Sequence, residues 1–436
     1  MATAAASITG VPLPSGPSAG RLAQAAAFHR DPLGFLRRTR DEFGDAFTLR
    51  LAAAGPMVVF SDPAVVDEIA ELPRAVGHAG AARRRLVQMI SERSVLGTDG
   101  QDHRITREQL EPAFARDRVD HLRDAMTRIA EAHVADWPRG RPFRVLPRMR
   151  AIADEVFAKL VIGVRDERRA KALAGATQRM LWTPGNPPFP PPGQYAGLLG
   201  AAATRLFERR KAPVAALLAA EIDARRASGE NHGDGDGGID VIASMLRATP
   251  ERPTDELVDE LVPLLMAGQE PAAAGLTWVL DRLARNPDLA EHFLEAPDDD
   301  RLRTATVREA LRLRPAVHSV ARKLTEPHTI GGRELPAGAV ASVPIVLVHR
   351  DANAFPDPDT FRPERFVDRG LDELPFLPFG GGPRRCLGEW LAHAEIGTVI
   401  PTILRQLGLK SMFPEPERMV VRGTVLVPHR SGLARG

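Results

Sequence analysis

The chain carries a single cysteine, Cys386, among its 436 residues, which excludes an internal disulfide and any metal site built from several thiolates. A surplus of one charge is also missing: 58 Lys and Arg against 56 Asp and Glu leave a formal net charge of +2, which gives no case for a nucleic-acid partner. Long hydrophobic runs are absent too. The most apolar stretch, LVPLLMAGQEPAAAGLTWVL from Leu261 to Leu280, is interrupted by Gln269, Glu270 and two prolines, and a membrane span takes about 20 apolar residues. The N-terminal MATAAASITGVPLPSGPSAG has no charged region followed by a hydrophobic one, so neither a signal peptide nor an anchor is expected. No internal repeat and no clean boundary is visible. Residues 1–24 read as a flexible leader and 25–436 as one domain, in a soluble, cytoplasmic protein.

What is present is ordinary in bulk, with 44% hydrophobic and 26% charged residues. DPLGFLRRTRDEFG begins with a capping Asp and a Pro suited to the first helical position. FTLRLA and PMVVFSD alternate like the arms of a hairpin. From Asp62 to Arg314 most of the chain has helical spacing, and the final third mixes short strands, a Pro-rich coil, one more helix after Cys386 and a closing strand pair. TPGNPPFPPPG (Thr183–Gly193) must be extended and stiff. It reads either as a rigid connector or proline-module ligand, or as an entrance lid between two helices. GENHGDGDGG contains G-x-G-x-x-G at Gly233, Gly235 and Gly238 but follows a charged helical pattern, not a strand, so it reads as a linker.

FLPFGGGPRRCLGEWLAHAE is the most informative segment. Three consecutive glycines permit a tight backbone excursion, and Cys386 falls just before a helix that begins near Gly388. Backbone N–H groups, the helix dipole and Arg384 are expected to stabilise a thiolate there. FGGGPRRCLG resembles the F-x-x-G-x-R-x-C-x-G signature of the cytochrome P450 heme-thiolate enzymes through Phe379, Gly382, Arg384, Cys386 and Gly388. Other motifs of that family follow in order. In VREALRLRP, Glu309 and Arg312 match E-x-x-R. In FRPERF, Arg365 matches the arginine that joins them. In GTDGQDHRITREQL, His103 and Arg107 match H-x-x-x-R. The resemblance runs from about Asp31 to the C-terminus. It implies a mainly α fold, a triangular helical prism with a small β-rich region, and heme b held between the long central helix and the Cys loop.

The same resemblance implies Cys386 as the axial iron ligand, and His103, Arg107, Arg322 and Arg384 as partners of the heme propionates. It places Phe379, Gly382 and Gly388 around the heme, and makes Glu309, Arg312 and Arg365 a brace for its binding segment. Electrons are expected from NAD(P)H through a separate ferredoxin or flavodoxin and its reductase, with an apolar small molecule as substrate, no membrane, and a monomeric state. Arg83–Arg85 read as a solvated surface run or as a contact for a substrate carboxylate or phosphate.

The central helix departs from the family pattern (A/G)-G-x-(D/E)-T. Ala267, Gly268, Gln269 and Glu270 match, but Pro271 stands where the family has a threonine whose hydroxyl assists proton delivery. No Ser or Thr lies between Asp255 and Leu276, and Thr277 is more than a turn away. Proline removes an N–H and crowds the carbonyl four residues back, so the helix is expected to open at Ala267, helped by Gly268. Glu270 is then expected to relay protons in a monooxygenase, unless Pro271 is merely a kink and Glu270 is simply salt-bridged. Peroxide-driven chemistry, cyclisation, coupling or rearrangement is the alternative that Pro271 motivates.

Overall fold

In this computed structural model, residues 7–8, 11–51, 56–86, 91–181, 197–229, 239–296, 300–367 and 369–436 are described. The Pro-rich segment Thr183–Gly193 and Gly233, Gly235 and Gly238 lie outside them, as do the side chains of Arg84 and Arg85. The helices that matter for the site are α1 (Arg21–Arg30), α2 (Pro32–Phe43), α3 (Ala79–Leu86), α4 (Gly100–Leu110), α5 (Leu146–Val156), α6 (Glu167–Leu181), α7 (Gly197–Ser228), α8 (Thr254–Leu283), α9 (Arg301–Leu313) and α10 (Glu389–Gln406). The local signals explain their starts. Asp31 accepts from the Gly34 N–H at 3.0 Å ahead of Pro32, and Asp300 caps α9 through the Arg303 N–H.

The strands are β1 (Ala46–Arg50), β2 (Pro56–Phe60), β3 (Gly77–His78), β4 (Ser319–Leu324), β5 (Val340–Pro344), β6 (Met419–Arg422) and β7 (Val425–Pro428). The first five form one sheet in the order β1-β2-β5-β4-β3. The β1–β2 hairpin is antiparallel as expected, with Ala46 opposite Phe60. The sequence reading missed that β5 runs parallel to β2, and that β4 carries Arg322 opposite Ala341. All five residues of β5 are buried, as a strand covered on both faces requires.

The second half of the expected leader is packed, not loose. Leu13 is buried, and the Thr48 hydroxyl donates to the Pro14 carbonyl at 2.6 Å. Buried Gln24 ties α1 back to the carbonyls of Pro17 and Ala19.

The 30-residue α8 is the axle of the molecule, about 45 Å long at 1.5 Å per residue. Its apolar residues join those of α5 and α10 in one continuous core. Trp278, fully buried, donates its indole N–H to the Leu426 carbonyl of β7 at 2.9 Å and so fastens α8 to the C-terminal strand pair. Among the described residues no helix is long and apolar enough to cross a membrane.

Candidate active site

The Cys loop is shaped by glycine where glycine is needed. Gly380 and Gly382 have φ of +70° and +61°, in the left-handed region that L side chains avoid. A Cβ at Gly382 would also overlap the Ala70 carbonyl. The turn closes with the Cys386 N–H donating to the Phe379 carbonyl at 2.8 Å, and Gly388 leads into α10. The Phe379 ring lies 5.3 Å from that of His393.

Cys386 is exposed, yet burial among surrounding protein atoms is the main cause raising its thiol pKa. Both hold for a side chain deep in the protein that borders an open hollow. The expected thiolate stabilisation is present but loses. The Gly388 N–H, Arg107 and Arg83 favour the anion, while desolvation and Glu389 outweigh them. A metal ion at the sulfur reverses that balance, because a coordinating thiol is deprotonated outright.

Beside this hollow, cations converge. His103 is 3% exposed and its Nδ1 accepts from Arg74 Nη1 at 2.9 Å. A guanidinium has no lone pair, so the remaining ring proton sits on Nε2. Burial and then Arg384, Arg74, Arg107 and Arg83 push the His103 pKa down to about 3. Burial first, then other arginines, pushes Arg384 down to about 9 and Arg322 to about 10. Asp99 and Glu71 oppose this only in part. Arg384 donates to Asp99 at 2.6 Å and to the carbonyls of Val95 and Thr98. Arg322 donates to the Ala70 and Gly381 carbonyls. Arg107 donates to Glu111 and, at 2.8 Å, to the Arg385 carbonyl next to Cys386. Arg74, Gly77, His103, Arg322 and Arg384 border a single narrow cleft. Such a set of buried donors with excess positive charge fits a ligand bearing carboxylates. A wider, open cleft of about 520 Å³, lined by His133, Trp137 and Arg148, contains none of the predicted site residues.

Arg83 belongs to the cluster as well. The solvated-surface reading does not hold for it: burial lowers its pKa, and it lies near enough to Asp99 and Cys386 to feel both charges. Arg74, Arg83 and Asp99 carried no decisive signal in the sequence.

Behind the loop, Glu309 and Arg312 are fully buried and joined by two hydrogen bonds of 2.7 and 2.9 Å. Arg365 donates to Glu309 Oε1 at 3.1 Å. Arg312 also donates to the His349 and Pro358 carbonyls. His349, which sequence reasoning missed, connects this group to the Cys loop. Its Nδ1–H donates to the Arg312 carbonyl, and its Nε2 accepts from the Leu377 N–H at 2.8 Å. Burial holds its pKa down at about 3, so the ring stays neutral and can do both.

Helix α8 corrects two expectations. It runs unbroken from Thr254 to Leu283 through Pro263 and Pro271, so the expected opening at Ala267 does not occur. Gly268 serves close packing and not a bend, since a Cβ there would overlap the Phe157 ring. Glu270 pairs with Arg150 of α5 at 2.7 Å. Gln269 is 1% exposed with neither side-chain polar atom hydrogen-bonded. Thr277 turns its hydroxyl to the Ala273 carbonyl at 2.7 Å.

Comparison with known proteins points the same way. The cytochrome P450 family model matches residues 11–432. The putative cytochrome P450 135B1 of Mycobacterium tuberculosis is 36% identical, covering 97% of this chain and 91% of the relative. The putative cytochrome P450 138 of the same species is 30% identical over 99% and 97%. Among solved structures, retinoic acid-bound cyanobacterial CYP120A1 superposes with a TM-score of 0.75 at 22% identity, covering 92% of this chain and 93% of that one. CYP175A1 from Thermus thermophilus gives 0.71 at 26% identity, over 94% and 96%. This chain belongs to the cytochrome P450 family and has its fold, which makes it an oxidoreductase of the monooxygenase kind.

Proposed function

We propose that the protein inserts one oxygen atom from O2 into an apolar small molecule of natural-product type, as a monomeric cytoplasmic enzyme. Electrons come from NAD(P)H through a ferredoxin or flavodoxin and its reductase. Bound heme b supplies the oxygen-activating chemistry at its iron. The chain's own residues hold and orient it. Cys386 ligates the iron as thiolate, and His103, through Nε2–H, with Arg107, Arg322 and Arg384 binds the two propionates. Phe379, Gly382 and Gly388 shape the loop, while Glu309, Arg312 and Arg365 brace it. The observation that carries this reading is a deep yet accessible Cys386 beside a neutral, buried His103 and converging arginines that outnumber the acids Asp99 and Glu111 paired with them.

Ala267, Gly268, Gln269, Glu270 and Pro271 line the stretch of α8 assigned to proton handling. Pro271 offers no hydroxyl, so the proton comes through Glu270, held by Arg150, or from a hydroxyl on the substrate. That departure favours one second reading, in which peroxide replaces O2 and a redox partner, or the reaction is a cyclisation, coupling or rearrangement. The test is substrate-dependent NADPH consumption with a surrogate ferredoxin and reductase, with product analysis. Coupled oxygenated product supports the first reading. Product formed with peroxide and none with the redox pair supports the second. Pro271→Thr should raise coupling and reduce peroxide leakage. If neither changes, the role given to this position is wrong.

A further inference from the structure

The seam between α5 and α8 holds more polar groups than packing requires. Arg150 and Asp154 stand one turn apart on α5. Arg150 reaches Glu270, and Asp154, 4% exposed, accepts a hydrogen bond from the Gln178 amide of α6, a residue open to solvent. Gly268 packs on Phe157 at the end of α5, and Glu270 pairs with Arg150 two turns earlier. Gln269 lies between them in the sequence of α8, buried and with its amide unpartnered. A buried amide with no partner is costly unless something polar meets it. The charged groups acting on Asp154 are Glu270 from α8 and Arg150 from its own helix, and from α6 it meets the neutral Gln178. His133 and Lys159 are taken up by the neighbouring Glu155.

We propose that Asp154 is a second acid in the proton route, carrying protons from solvent at Gln178 to Glu270 past Arg150, which stands one turn from Asp154 and pairs with Glu270. The step is a plain proton transfer. Through a bridging water, which gives one proton as it takes another, the Asp154 carboxyl O–H yields its proton and the Glu270 carboxylate gains one, leaving Asp154 as a carboxylate held by the Gln178 N–H and the Arg150 charge. Solvent then reprotonates it. Burial, with help from the Glu270 charge, raises the Asp154 pKa to about 7 against the pull of Gln178 and Arg150, so the group gives and takes protons near neutrality. Asp154 acts through Glu270, and the inference rests on the proton role given to that residue above.

Infrared difference spectra of the heme-loaded protein between pH 5 and 9 test it. The protonated-carboxyl absorption titrating near pH 7, which Glu260 shares, should lose its Asp154 component in Asp154→Asn, and that component should shift upward in midpoint in Gln178→Ala, whose exposed site leaves folding intact. NADH oxidation with a plant-type ferredoxin, its reductase and dodecanoic acid as probe should fall at least about tenfold in Asp154→Asn, lose its inflection near pH 7, and recover in Asp154→Glu. An unchanged band, or an unchanged pH profile in Asp154→Asn while Glu270→Gln is slow, overturns this inference alone. An unaltered Glu270→Gln enzyme overturns the reading beneath it.

Discussion

At Gly382 a positive φ of +61° coincides with a backbone carbonyl in the space a Cβ would take. Gly382→Ala therefore forces the Cys loop to move, with an expected loss of more than about 1 kcal/mol in denaturant unfolding and a fall in heme occupancy. At Arg312 the issue is charge. Removing it leaves the Glu309 carboxylate buried with only Arg365 to answer it, a change that costs about 3–5 kcal/mol for buried pairs. Arg312→Ala should accumulate as heme-free or unfolded protein, measured by the Soret-to-protein absorbance ratio. Glu309, Arg312 and Arg365 could be picked out from sequence only through their resemblance to the family's motifs, with Cys386 following in order; the i,i+3 spacing alone reads as an exposed ion pair. His349 could not, because its role depends on two backbone groups, at Arg312 and Leu377, that only the fold brings to opposite sides of one ring.

At the scale of elements, α8 shows that a proline rule read locally can lose to packing. Proline disfavours a helix interior by about 3 kcal/mol, yet α8 stays helical because its flanks are held by α5, α10 and the strand pair β6–β7. The penalty remains in the structure. Pro271→Ala restores an N–H opposite the Ala267 carbonyl in a helix already in place, and should raise stability by about 1–3 kcal/mol in guanidinium unfolding. A loss instead would mean that the backbone around residue 271 is adapted to proline. The apolar periodicity made α8 visible in the sequence. Its contact with Phe157 and Arg150 was not, since nothing in α5 marks which helix it meets. Nor could the parallel β2–β5 pairing be read, its strands being separated by about two thirds of the chain.

Across the whole molecule, three buried carboxyls share one consequence. Burial raises Asp154 and Glu260 to about 7 and Glu395 to about 8. In each case the folded form holds its proton more tightly than the unfolded chain, so stability is full below pH 4 and is lost as pH rises through the folded pKa. Between pH 7 and 8 Glu395 is the largest contributor of the three, at about 1.4 kcal/mol per unit at most. Glu395→Gln should flatten the fall in Tm over that interval, and an unchanged slope would refute the assignment. The neutral His103 and His349 act oppositely: folded pKa values near 3 give stability that is lost as pH falls below about 6.5. The charge surplus around His103 belongs to the same scale, because residues from α3, α4, β4 and the Cys loop build it together. From sequence, His103, Arg107, Arg322 and Arg384 were legible as motif positions, whereas Arg74 and Arg83 become neighbours only through folding. The function proposed for that surplus is to hold the propionates of a heme whose iron is bound by the Cys386 sulfur. The most direct measurement is the absorption spectrum of the reduced, carbon-monoxide-treated protein and of its Cys386→Ser variant. The account predicts the far red-shifted Soret band of thiolate ligation in the first and its disappearance in the second; its absence from the first, or its persistence in the second, contradicts the account.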